Sequence, residues 1–208
     1  MLLIPERQAL FLHIPKTGGQ TIEALLGVAH QRHHHSPRGL PPDWPRWFRF
    51  TFVRHPYSRF VSTCNFNLAM ARRYRERYRR QAEPDPLVGL RLWLLERQPP
   101  LGAVVQRLAG ERQLLRLCHF RPQVRSLRLV QPQFVGRFER FSDDVNTVLR
   151  LLGYGQRLAE PLPHLNSSPP DYSLEQLDRR ERRQLAELYR GDFQQLGYRR
   201  GQEGRRKG

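Results

Sequence analysis

Lysine is nearly missing from this basic chain. Of 36 Lys plus Arg among 208 residues, only Lys16 and Lys207 are lysine, and Asp plus Glu number 19. The formal net charge is +17 with a pI near 11.3, almost all of it guanidinium. Such a field draws anions of every kind, and by itself selects none of them. Long apolar runs are also missing. No stretch reaches the roughly eighteen residues a membrane-spanning helix needs, and the N-terminus lacks the basic segment and apolar stretch of a secretory signal. A membrane span is excluded on this pattern, and a soluble, cytoplasmic product is expected. Cysteine is scarce as well, with Cys64 and Cys118 alone. A chain of this length builds its own core without a staple, so two buried free thiols are expected. No Cys or carboxylate completes a metal-ligand set at the usual spacing beside the histidines, so no metal requirement is expected.

What is present starts at residues 10 to 26. Leu10, Phe11, Leu12 and Ile14 form the apolar run of a central strand, Pro15 ends its pairing, and Thr21 to Leu26 opens an apolar helical pattern. Between them, Pro15-Lys-Thr-Gly-Gly-Gln20 makes a loop on a helix N-terminus. Backbone N–H groups and the helix dipole attract an anion there, and Gly18 and Gly19 let it approach closely. The order is not the Walker one, in which glycine precedes a Lys-Ser/Thr pair. A second segment, Phe50-Thr-Phe-Val-Arg-His-Pro-Tyr-Ser-Arg-Phe-Val-Ser62, reads as strand, turn and helix with Pro56 near the first helical position. It places Arg54 at the strand's carboxyl end and Ser62 about two turns along the helix, where guanidinium and hydroxyl can converge on one phosphate.

The Pro-Lys-Thr-Gly-Gly-x-Thr order resembles the 5′-phosphosulfate loop of sulfotransferases that use 3′-phosphoadenosine 5′-phosphosulfate (PAPS). The closest likeness is to the group containing heparan 2-O-sulfotransferase and many bacterial carbohydrate sulfotransferases. Phe134-Val-Gly-Arg-Phe-Glu-Arg-Phe-Ser142 with the helix after it, Leu162 to Ser168, and Leu188 to Tyr198 are similar to later family segments, so the likeness runs over nearly the whole chain. It implies a P-loop-NTPase-like α/β fold, an open parallel sheet flanked by helices, as a single domain over residues 1–200 with 201–208 as a disordered basic tail. It further implies that Lys16, Thr17, Gly18, Gly19, Gln20 and Thr21 hold the 5′ end of PAPS, that Arg54 and Ser62 grip its 3′-phosphate, and that Asn166 and Ser167 (with Ser168) cover the nucleotide. Polar turn chemistry explains those last residues equally well.

Along the chain, strands are expected near 9–14, 48–53, 127–130 and 134–137. Helices are expected near 19–28, 56–80, 101–109, 142–152 and 174–196, with Ser142 as N-cap and Gly153 as C-terminal stop. Residues 81–100 read as a surface insertion with a short helix, Leu87 to Leu95. The run Arg72-Arg-Tyr-Arg-Glu-Arg-Tyr-Arg-Arg80 is either a solvated basic face or the lining of a groove for an acidic acceptor, with Tyr74 and Tyr78 one turn apart to stack on sugar rings.

Sulfuryl transfer to a hydroxyl needs a cation for the leaving oxygen and a base for the acceptor proton. Lys16 is the cation. For the base, His34 fits the position of the family's histidine between the two motifs, with His33 and His35 as neighbours and Glu23 as a fallback base or partner. Without the resemblance Glu23 reads as a solvent-facing helix residue. Arg121 and Gln123 either face the acceptor or belong to a surface loop, the second being preferred. The partners expected are PAPS or its product PAP and a carbohydrate, possibly acidic, with no specific nucleic acid. Two other classes were weighed. A nucleic-acid or polyanion binder explains the charge but not the two phosphate motifs, and a nucleotide kinase lacks the Gly-Lys-Ser/Thr ending and a magnesium-binding Asp after the second strand, where Arg54 stands.

Overall fold

The computed structural model describes residues 1–27, 40–81, 85–155 and 171–201. His33, His34 and His35, Asn166, Ser167 and Ser168, and the tail from residue 202 lie outside these. The described residues fall into two compact units, one formed by residues up to His55 and from Gln123 to Gly155, the other by Pro56–Pro122 and from Asp171 onward.

The first unit is built on a four-stranded sheet of β1 (Leu2–Ile4), β2 (Ala9–Leu12), β3 (Phe48–Val53) and β4 (Phe134–Arg137), side by side in that order. β2, β3 and β4 run parallel, and β1 returns antiparallel on the edge. The fold is thus α/β with an open, mostly parallel sheet flanked by helices. Alternation along the strands sends Ala9, Phe11, Phe50 and Phe52 to one face, where they meet Ile22 of α1 (Gly19–Leu25) and Val145, Val148 and Leu149 of α7 (Phe141–Leu151). Those α7 positions recur at helical spacing, so one stripe of the helix covers the sheet. Phe11 and Phe50 face each other in register with ring centroids 5.1 Å apart. A side chain at Gly136 would meet the Phe52 ring at 2.5 Å, which is why the strand beside Phe52 carries glycine there. Gly153 follows α7 at φ +76°, as its reading as a stop requires.

Three expectations for this unit are corrected. Residues 127–130 belong to a helix, α6 (Gln123–Val130), not a strand, because Val124, Leu127 and Val130 turn inward at a spacing of three while Arg125 and Arg128 face water. β1 was not anticipated, being only three residues long. Ser142 is not the N-cap of α7: the helix begins one residue earlier, and Asp144 instead accepts the Arg137 backbone N–H at 2.6 Å.

The second unit is helical. Its core gathers Phe60, Cys64 and Leu68 of α2 (Pro56–Arg73), Leu90 and Leu94 of α4 (Pro86–Arg97), Val104, Val105 and Leu108 of α5 (Leu101–Gly110), and Leu185 of α8 (Arg179–Leu188). α4 is therefore a core helix rather than a surface insertion. Its start is fixed by Asp85, whose carboxylate accepts the Leu87 and Val88 N–H groups, and by Pro86 at the first helical position. The expected helix over 56–80 breaks at Tyr74 (φ −113°, ψ 22°), leaving a short α3 (Arg75–Arg79) in a run where Arg73 and Arg77 repel four residues apart. The 174–196 helix is likewise divided into a 3-10 turn (Leu174–Gln176), α8 and α9 (Arg190–Gln195). Both thiols are free; Cys64 is buried, but Cys118 is only half-buried. Among the described residues no helix is long and apolar enough to cross a membrane.

Candidate anion-binding active site

β2 ends at Leu12, and the chain crosses His13 to Gly18 before α1 begins at Gly19. This loop is tightly specified. Lys16 lies at φ +71° and Gly18 at φ +86°, and a lysine in the left-handed region costs about 1–2 kcal/mol, so the surroundings must hold it there. Several contacts do. The Thr17 hydroxyl is fully buried and donates to the Ile14 carbonyl at 2.8 Å, closing the loop on itself. With that proton committed, what Thr17 can offer an anion is its backbone N–H. The Gly18 carbonyl accepts from Thr21 and Ile22 at 3.0 and 3.3 Å and starts the helix.

The two glycines are required for different reasons. A Cβ on Gly19 would strike the His13 imidazole at 2.2 Å, and one on Gly18 would strike the Phe141 ring at 2.5 Å in a backbone conformation that already disfavours it. Gly18→Ala is accordingly expected to lose at least about 1–2 kcal/mol of stability, from the left-handed backbone alone, and to weaken anion binding with it. Urea denaturation and calorimetry check this; an alanine variant as stable as the parent would show that the loop yields.

His13 and Glu23 are joined across the loop, from its entry to the second turn of α1. The Nδ1 to Oε1 distance is 2.7 Å, with side-chain exposures of 13% and 8%. The His13 ring also stacks on Phe11 at 5.7 Å. Glu23 is therefore not a solvent-facing helix residue. Ten residues of separation hid the pair, since neither residue at this spacing signals a contact without knowing how tightly the loop turns.

Arg54 follows β3 directly, as expected. Its guanidinium lies 4.3 Å over the Phe138 ring and reaches the Lys16 carbonyl at 3.5 Å, bringing the two motifs together. Its backbone is clamped by the wholly buried Gln123 amide: Gln123 Oε1 accepts the Arg54 N–H at 2.9 Å, and Gln123 Nε2 donates to the Arg54 carbonyl at 2.8 Å. Next along, the His55 N–H donates to Glu139 at 2.6 Å. Gln123 is thus neither an acceptor contact nor a surface-loop residue; it holds Arg54 in place. Arg121 is half-buried, with its guanidinium on the Arg116 carbonyl at 3.0 Å. The Gln123 role rests on contacts 69 residues apart along the chain, which no local pattern reveals.

The electrostatics are tuned for an anion. Burial, followed by the nearby Arg54 charge, lowers the Lys16 pKa to about 8. An ammonium already depleted of water, facing a second cation, gains most when an anion arrives between them. Gln20, Gly19 and Thr21 sit in the first turn of α1, Gln20 exposed and Thr21 buried. Ser62 stands two turns into α2, in the second unit, partly exposed.

A family model described as "Sulfotransferase family" matches residues 1–199 of the chain. No curated protein and no solved structure matches it.

Proposed function

From its membership of the sulfotransferase family, which the match over residues 1–199 establishes, we propose that this chain transfers a sulfuryl group from PAPS to a hydroxyl of a carbohydrate. The family makes it a sulfotransferase in general terms; the donor, the acceptor class and the residue roles are our reading. The observation that carries it is the juxtaposition of Lys16, on a left-handed loop between strand and helix, with Arg54 from the next strand.

The roles follow from charge and geometry. Lys16 supports the developing negative charge on the oxygen that links sulfur to the 5′-phosphate, together with backbone N–H groups of Thr17, Gly18, Gly19 and Gln20. Thr21 joins them at the end of the loop. Arg54 is assigned the 3′-phosphate, with Ser62 as a hydroxyl ligand of the same group and Asn166 and Ser167 as cover. His34 takes the acceptor hydroxyl proton. The acceptor oxygen forms a bond to sulfur while the bond from sulfur to the 5′-phosphate oxygen breaks, and PAP departs without a covalent enzyme intermediate. No metal is needed for this, because Lys16 supplies the electrophilic charge.

Calorimetric titration with PAP at moderate salt tests the reading. Wild-type protein is expected to bind one equivalent. Arg54→Ala should weaken binding by about 1.5–3 kcal/mol, roughly ten- to a hundredfold, the cost of a charge-assisted contact. Equal affinity in the variant removes the 3′-phosphate role, and no binding by the wild type removes PAPS as donor. A screen of carbohydrate acceptors with labelled sulfuryl donor then identifies the other substrate.

A further inference from the structure

We propose that the second unit carries a saccharide subsite on the basic helix α3, shaped for a pyranose ring bearing a carboxylate. Tyr74, Arg77, Tyr78, Gln81, Asp85 and Val88 line an open cavity of about 270 Å³ there. That is just under the range of small-ligand sites, which begin at about 300 Å³, and suits a single sugar unit better than a nucleotide.

The wall is aromatic and fixed in advance. The Tyr74 and Tyr78 rings lie 6.0 Å apart, and Tyr78 is buried with its hydroxyl accepting from Arg91 Nη1 at 2.7 Å. Arg91 is itself held through Nε by Asn67 Oδ1 at 3.0 Å, so the wall need not be ordered by a ligand. Tyr74 is half-buried, with one side supported and the rest open to a sugar's C–H face. Val88 closes the floor, buried in α4.

The rim is polar and matched in charge. Arg72, Arg75 and Arg79 are committed to Asp171, Glu76 and Glu96. Arg77 is exposed and makes no ion pair among the described residues, so its planar fork is available for a carboxylate. Asp85 is oriented by its capping bonds to Leu87 and Val88, and with the Gln81 amide it offers acceptors and donors to ring hydroxyls. A nucleic-acid strand fits less well, because it needs several cations along its phosphates and would meet the Asp85 carboxylate. The arginine and tyrosine run thus has a use that charge alone does not give it.

This inference deepens the carbohydrate reading and rests on it, but its test is independent of PAPS. Tetragalacturonate and a hyaluronan hexasaccharide are titrated into the whole protein at moderate salt, with maltohexaose as the neutral control. Both uronate oligomers should bind and maltohexaose at least about tenfold more weakly, since it lacks the partner for Arg77. Arg77→Gln should remove most of that discrimination, and Tyr74→Ala should weaken both uronates about tenfold while Tyr74→Phe keeps them. PAP affinity should be unchanged in all three variants, which shows them folded. Uronates that fail to bind, or that bind Arg77→Gln and Tyr74→Ala as well as the parent, overturn the site. The second outcome assigns binding to the general basic surface, and a failure of PAP to bind would strike the sulfotransfer reading while leaving this subsite standing.

Discussion

Lys16→Met should nearly abolish transfer, by about a thousandfold or more, and at the same time make the protein more stable. Both effects have one cause. The ammonium is buried and stands near Arg54, which together bring its pKa down to about 8. A folded-state value below the unfolded one, near 10.4, means that the unfolded chain holds more protons between about pH 8 and pH 10.4. Wild-type stability contributed by this group therefore rises as pH rises through that window, and at neutral pH the charged lysine is a burden. The full shift corresponds to about 3 kcal/mol, and the part of the side chain still touching water reduces this to roughly 1–2 kcal/mol. Urea denaturation of wild type and variant at pH 7 should show that gain, and the gap should close toward pH 10.5. The kinetic counterpart is a fall of kcat/KM for PAPS as pH rises past about 8, where free enzyme loses the Lys16 charge, with Lys16→Arg moving the fall out of range. Transfer near the wild-type rate in the methionine variant would reject the assignment of Lys16.

Glu23→Ala is expected to cost about 3 kcal/mol of stability, because it leaves His13 buried without its partner. For a chain of this size that corresponds to a drop of roughly 6–12 °C in Tm. Glu23→Gln keeps a hydrogen bond to the imidazole and should recover more than half of the loss. The pair spans the loop's entry and exit, so PAP affinity should follow the same order, wild type above glutamine above alanine. Thermal unfolding and calorimetry on the three proteins decide it. An alanine variant with the parent's Tm would mean that the 2.7 Å contact between His13 and Glu23 contributes nothing.

Much of the fold could be read in advance where the signal is local. The β2 and β3 runs, the loop glycines, Pro56 at the start of α2 and Gly153 after α7 are each decided by residues within a few positions of one another. Period-two apolar runs, a missing N–H and a left-handed turn act over that range. Where the reading failed, a distant partner had the deciding vote. Residues 127–130 carry enough branched and apolar character for a strand, yet α6 forms because Val124 and Val130 are buried at helical spacing and Gln123 is fixed at its first turn by Arg54. Residues 86–97 looked peripheral between prolines, yet Leu90 and Leu94 are core to the second unit.

The candidate site divides the same way. Sequence alone determined that a loop with Lys16, Gly18 and Gly19 joins a strand to a helix and that Arg54 ends another strand, because dihedral preference and hydrophobic period are properties of neighbouring residues. Tertiary structure decided that Arg54 reaches the Lys16 carbonyl, that Gln123 clamps Arg54 and that His13 and Glu23 brace the loop from beneath. Such contacts depend on which strands pair and how far buried polar groups must reach for partners, and those quantities exist only once the chain has closed on itself.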